Sequence, residues 1–145
     1  MMSIWKKSFT LESLNAKRAE TLIDHLDIKF TEVSDDSITG TMPVDARTHQ
    51  PMGLLHGGAN VVLAETLGSV GATLACPEGF ACVGIEINAN HMKSVRSGHV
   101  TGVAKPLHIG LSTQVWEIKI YTDQQVLSCS SRITLSTIPY EADIL

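Results

Sequence analysis

Glu65 stands in the middle of the most apolar run of the chain, Gly57 to Ala75, between Leu63-Ala64 and Leu67. A carboxylate is almost never fully buried without a partner. An acid placed there either pairs with a cation, emerges at a solvated edge, or is held in a partly dry pocket for chemistry. Burial would raise its pKa, which suits proton transfer near neutral pH, and the same group can attack a carbon as a nucleophile. Ser69, one helical turn on, shares its face. His56-Gly57-Gly58 opens the same run. The first N–H groups of a helix lack internal acceptors and carry the positive end of its dipole. With no side chain on Gly57, an oxygen can approach its N–H closely, as an oxyanion hole requires. A Gly-Gly pair equally lets a strand and a helix pack closely, and spacing alone does not separate the two readings.

Gly57 and Glu65 are eight residues apart, which is about 12 Å along a straight helix axis. One helix cannot bring both to a single carbonyl group. If both act, they come from different helices. Two antiparallel copies across a two-fold axis would bring Gly57 of one toward Glu65 of the other.

Other constellations carry less. Gly68-Ser69-Val70-Gly71 does not match the G-x-S-x-G nucleophile elbow, and neither a P-loop nor G-x-G-x-x-G occurs. The six histidines show no H-x-x-x-H pair, so no metal and no separate cofactor are expected. His91, Lys93, Arg96 and His99 gather around one strand end and the turn after it. They read either as a solvated rim or as donors for the phosphates of a nucleotide handle. Trp116 reads as core or interface packing.

The run from Gly57 predicts a helix to about Ala75, ended by Pro77-Glu78-Gly79. It is apolar nearly all round, so it must be covered on most of its circumference. Short helices are expected over Thr10–Ala19 and Leu22–Leu26, and strands over Asp27–Val33 and Ser37–Val44. The later segments Ala81–Met92, His99–Ile109, Ser112–Tyr121 and Gln125–Ile138 have short connections. They predict a four-stranded antiparallel meander. The expectation is one α+β domain over residues 1–145, a long helix wrapped by a curved antiparallel sheet. Such a sheet covers only part of the helix. A second copy of the chain is the simplest cover for the rest.

Composition bounds the alternatives. Charged residues make up 18% of the 145, below the roughly 25% usual for a soluble domain, in keeping with surface covered by a partner copy. A net charge of −4 provides no basic field for nucleic acid. Three cysteines without C-x-x-C spacing read as reduced thiols in a cytoplasmic protein. The first residues, Met1 to Lys7, lead into no apolar stretch of the signal-peptide kind. A carboxylate in the middle of 57–75 would cost roughly 2.5–3.5 kcal/mol to insert, which argues against a membrane span.

From Gln50 to Thr66 the sequence resembles the hotdog-fold thioesterases. It is most similar to the branch holding the Arthrobacter-type 4-hydroxybenzoyl-CoA thioesterase and the 1,4-dihydroxy-2-naphthoyl-CoA hydrolase of menaquinone synthesis. Matching stretches continue over Val83–His91, Lys105–Gly110 and Gln114–Ile118, and the likeness runs from Ile4 to about Thr134, leaving Pro139 to Leu145 as an unmatched tail. The resemblance implies hydrolysis of an acyl-CoA or acyl carrier protein thioester to free acid and thiol. Glu65 would be the nucleophile or general base, and the Gly57 N–H would polarise the thioester carbonyl. Gln50 and His56 would orient thioester and water, with Ser69 assisting. Gly84, the run His91, Met92, Lys93 and Ser94, and the loop His108, Ile109, Gly110, Leu111, Ser112 and Thr113 would contact the CoA or acyl portions. The assembly in that branch is usually a dimer of dimers. Two other activities fit the same frame: a β-hydroxyacyl dehydratase or hydratase, and a non-catalytic acyl-CoA-binding module.

Overall fold

The computed structural model describes residues 2–16 and 18–141. Three helices and six strands follow in order: α1 (Leu11–Ala16), α2 (Leu22–His25), β1 (Lys29–Val33), β2 (Ile38–Pro43), α3 (Gly57–Ala75), β3 (Phe80–His91), β4 (His99–Ile109), β5 (Thr113–Thr122) and β6 (Leu127–Pro139). The six strands form one antiparallel sheet that packs against α3, in keeping with the expected long helix against a curved antiparallel sheet. Residues 142–145 of the expected tail lie outside the described residues.

Small residues let α3 lie close on the sheet. A methyl at Gly68 would stand 2.7 Å from Ile133 Cγ2, and one at Gly71 2.9 Å from Trp116 Cζ3. Between them Leu63, Leu67 and Leu74 of the helix meet Ile38, Met42, Ile118, Ile120, Ile133 and Leu135 of the sheet, all fully enclosed. Trp116 is also at 0% exposure, with its indole N–H donating to Gln114 Oε1 at 2.8 Å. It is core within one protomer, which settles one of the two readings of that residue. Trp5 stacks on it from outside at 6.1 Å.

The four strands after α3 do not form the expected consecutive meander. The sheet order is β1-β2-β4-β5-β6-β3. Only β4, β5 and β6 follow one another, whereas β3 lies at the far edge against β6. Two long strands joined by a short segment read as a hairpin, but residues 92–98 instead cross the open end of the curved sheet. Seven residues reach up to roughly 23 Å, enough to pass the roughly 14 Å spanned by three strand spacings. Val95 is buried beneath this crossing, and its carbonyl accepts the Leu55 N–H at 2.8 Å. The connection is thereby pinned to the loop that leads into α3. This topology carries His91 from the end of β3 to the first turn of the helix.

The face of α3 turned away from the sheet carries Val62, Glu65, Thr66, Ser69 and Val70, spaced as one helical stripe. Beside it runs the unpaired edge of β3, which carries no Lys, Arg or Pro and exposes Phe80, Val83 at 45% and Ile85 at 62%. Among the described residues no helix is long and apolar enough to cross a membrane.

Candidate active site

The loop before α3 is built to place Gln50 and His56. Asp45 begins it: the Arg47 guanidinium and backbone N–H both donate to its carboxylate, holding its pKa at about 2. Thr48 Oγ1 donates to Pro43 O at 2.8 Å, and the His56 N–H donates to Thr48 O at 2.8 Å. Gln50 Oε1 accepts the Met52 N–H. That fixes the side-chain amide with its NH2 group as the free donor.

His56 is the N-cap of α3. Its Nδ1 accepts from the Gly58 N–H at 2.8 Å. A neutral imidazole that accepts at Nδ1 carries its proton on Nε2. The capping contact therefore leaves His56 with an outward Nε2–H donor. Ala59 and Asn60 direct their N–H groups to His56 O, while the Gly57 N–H has no acceptor among the described residues. The bare N–H that the sequence suggested is present.

His91 sits directly over it. A Cβ added to Gly57 would stand 2.9 Å from His91 Nε2. Gly57, Gln50, Asn60, His91, Met92, Lys93 and Ser94 line one cleft of about 440 Å³, closed by Leu54, Leu55 and Val95. Lys93 and Arg96 continue from it into a second hollow of about 470 Å³ with Ser94, Ser97, Asp123 and Gln124. His99 does not line either hollow.

Glu65 is elsewhere. Its side chain lies against β3, with Oε1 at 2.8 Å from where a Cβ on Gly84 would be. The missing side chain at 84 is what makes room for the carboxylate. The strand bulges between Gly84 and Glu86 at this point, a feature common beside active sites. Glu65 and Ser69 share a mostly apolar hollow of about 330 Å³ with Leu22, Ile23, Val62, Thr66 and Val70.

The carboxylate is exposed in the single protomer rather than enclosed, and none of the ion pairs among the described residues includes it. The apolar run around Glu65 is real, but its neighbours Leu63, Ala64 and Leu67 face the sheet while Glu65 faces out. A linear hydrophobic run does not report which way one residue points.

The loop His108 to Thr113 lies at the opposite end of the molecule. Ile109, Gly110 and Leu111 surround a hollow of about 320 Å³ with Ala75, Cys76 and Phe80, at the last turn of α3. Gly110 turns the chain by donating its N–H to Thr113 O at 2.9 Å, under the His108 ring. A single protomer thus gathers Gln50, His56, Gly57 and His91–Ser94 at one end. Glu65, Ser69 and Gly84 lie mid-way, and His108–Thr113 at the other end.

Sequence reasoning missed three contributors. Leu22 and Ile23 of α2 wall the Glu65 hollow, and Asn60 lies under His91. The pair Leu22-Ile23 stood out only as an apolar doublet among polar residues. Asn60 was visible as the one amide in an apolar helix.

All three thiols are buried. Burial pushes the Cys82 thiol up to about 11 and raises that of Cys129, so both stay protonated and un-nucleophilic at neutral pH. The Cys76 Sγ–H donates to Thr73 O and Phe80 O.

Gly84→Ala tests the seat of the carboxylate. The backbone at 84 suits alanine, and the only atom in the way is the tip of a flexible side chain. Stability is expected to change little, whereas kcat/KM falls on the order of 100-fold if the acid is displaced by about 1 Å. Unchanged kcat/KM, measured beside the melting temperature, would show that the carboxylate does not act from this position.

A long helix packed against an antiparallel sheet in this order is the hotdog fold. The chain belongs to the thioesterase superfamily, whose family pattern matches residues 52–129. It is 54% identical to a 1,4-dihydroxy-2-naphthoyl-CoA hydrolase of Escherichia coli over 136 residues, covering 93% of this chain and 99% of that one. A proofreading thioesterase EntH of Cronobacter turicensis is 50% identical over 135 residues, 93% of this chain and 98% of the relative. The crystal structure of a thioesterase from Haemophilus influenzae superposes with a TM-score of 0.93 at 48% identity, over 97% of this chain and 98% of that one. The protein is an enzyme that hydrolyses thioesters.

Proposed function

We propose that this thioesterase acts on aryl- or acyl-CoA esters in a site completed by two antiparallel protomers, with Glu65 of one facing Gly57 of the other. The observation that carries this is the position of Glu65: eight residues from Gly57 on one helix, beside an apolar hollow on the outward stripe of α3. Pairing of two β3 edges would continue the sheet, cover Val83 and Ile85, and lay the outward faces of two α3 helices together. The same arrangement brings His108–Thr113 of one protomer toward the cleft of the other. Pairs of such dimers would then make the tetramer expected of this branch.

In this site the thioester oxygen accepts from the Gly57 N–H at the positive end of α3. Glu65 takes a proton from water as the water oxygen bonds to the carbonyl carbon, or bonds to that carbon itself, in which case water afterwards splits the resulting anhydride and restores the carboxylate. The C–S bond breaks, the thiolate leaves with a proton, and a carboxylic acid remains. The Gln50 NH2 and His56 Nε2–H groups are the free donors that orient thioester and water. Ser69, in the same hollow as Glu65, assists the acid. Coenzyme A enters as part of the substrate, and the step calls on no separate cofactor. Lys93 and Arg96 supply the positive charge that a nucleotide phosphate needs, with Asp123 opposing them in the second hollow. The compartment consistent with three reduced thiols is the cytoplasm.

The hollow beside Glu65 is walled by Leu22, Ile23, Val62 and Val70, so it suits a flat apolar acyl group. The name of one relative, the 1,4-dihydroxy-2-naphthoyl-CoA hydrolase, points the same way. A panel of naphthoyl-, benzoyl- and straight-chain acyl-CoA esters, ranked by kcat/KM, tests the reading. Aryl esters are expected to lead, by factors that reflect apolar differences of about 1–3 kcal/mol each. Preference for a long straight chain would overturn the aryl assignment. Hydration of an enoyl-CoA without thioester cleavage would overturn the reaction itself.

A further inference from the structure

Asn60 is 4% exposed, and its Oδ1 has no hydrogen-bond partner. Its Nδ2 lies 3.3 Å from His91 Nδ1, the ring whose Nε2 covers Gly57. Buried polar atoms are satisfied in nearly all cases, and each exception calls for a reason. Exchanging the two ends of the amide does not remove the defect here. It would leave two N–H donors unpartnered instead of one carbonyl oxygen, and orphaned donors are the rarer case. Asparagine is also a weaker helix former than leucine or alanine. The fold therefore gains nothing at this position from an amide.

We propose that Asn60 is a positioning residue of the hydrolytic site, whose amide holds the His91 ring with its Nε2–H over Gly57, kept there against the stability of the fold. With Nδ1 accepting from Asn60, the neutral His91 ring carries its proton on Nε2. Two donors, Gly57 N–H and His91 Nε2–H, then line the same cleft and serve one developing oxyanion. Asn60 is one turn along the helix from Gly57. A helical side chain leans toward the N-terminus, which brings its amide under the ring. The proposal rests on the thioesterase site described above.

The test pairs activity with stability in Asn60→Leu and Asn60→Ala. Leucine keeps the branch at Cγ without polar atoms, and alanine folds even if leucine crowds the ring. The melting temperature is expected to hold or rise, while kcat/KM falls about tenfold or more through lost orientation. In a His91→Ala background the Asn60 substitution is expected to add no further loss, because both act through one ring. A lower melting temperature in both variants would mark a structural amide and overturn the proposal. So would unchanged kcat/KM, or losses at Asn60 and His91 that multiply. The ring 15N spectrum separates this from failure of the functional reading. In the parent protein the His91 proton is expected on Nε2, whatever the substrate turns out to be, and a proton on Nδ1 overturns the positioning role alone.

Discussion

Glu65→Gln is expected to reduce kcat/KM on an aryl-CoA ester by about 10²–10⁴-fold, the usual contribution of a positioned general base, while the fold is unaffected. Glutamine keeps the shape and loses the basicity. Because the carboxylate is exposed in the protomer and belongs to no ion pair among the described residues, its removal leaves no orphaned charge. The change in stability should then stay within about 0.5 kcal/mol, as for other surface substitutions. The loss should appear in kcat more than in KM, since in the proposed site the acid acts on the reacting atoms and not on the CoA handle. Two variants refine the result. Glu65→Asp shortens the reach of the acid toward a carbon in the partner's cleft, and should lie between glutamine and the parent. Ser69→Ala removes only an assistant and should cost less than Glu65→Gln. A Glu65→Gln protein with parental kcat/KM would remove the acid from the mechanism.

The elements were largely legible in the residues, and their neighbours were not. The long helix is marked by His56-Gly57-Gly58 at one end and Pro77 after the other, so α3 falls where its capping signals place it. Every strand was expected as a segment of its own, and β4 ends where the expectation had it. The position of β3 was hidden, because a seven-residue link between two long strands reads as a turn whether or not the strands pair. Seven extended residues are long enough to cross two intervening strands, so the length of the link does not tell a hairpin from a crossing. The site was legible in the same uneven way. Glu65 and Gly57 announced themselves by type and spacing. Asn60 and Leu22 did not, because an amide in a helix and an apolar residue in a short loop helix have many ordinary uses. Their meaning comes from what lies above them. What the apolar run hid is the direction in which Glu65 points, since hydrophobicity was read along the helix and not around it.

Mixing two inactive variants should restore activity if the site is shared. Glu65→Gln removes the acid. Gly57→Val places side-chain atoms where His91 Nε2 already stands, since even a Cβ there would be 2.9 Å away, and it blocks approach to the N–H. Each homodimer then has two dead sites. A mixed dimer has one site carrying both lesions and one carrying neither, built from the intact acid of one protomer and the intact helix start of its partner. Random reassortment after co-refolding makes half of the dimers mixed, so about one quarter of all sites should work. Recovery near that level, against almost none for either variant alone, would require Glu65 and Gly57 to come from different chains. If both residues served one site within a protomer, every site in every dimer would carry a lesion, and mixing would restore nothing. The distance argument favours the first outcome. About 12 Å of helix axis separates the two residues, more than the few ångströms over which a base and an oxyanion donor serve one carbonyl. In the proposed dimer the exposed acid is half of a site, and the hollow around it with Leu22, Ile23 and Val70 is the half-wall of an acyl pocket closed by a second helix start.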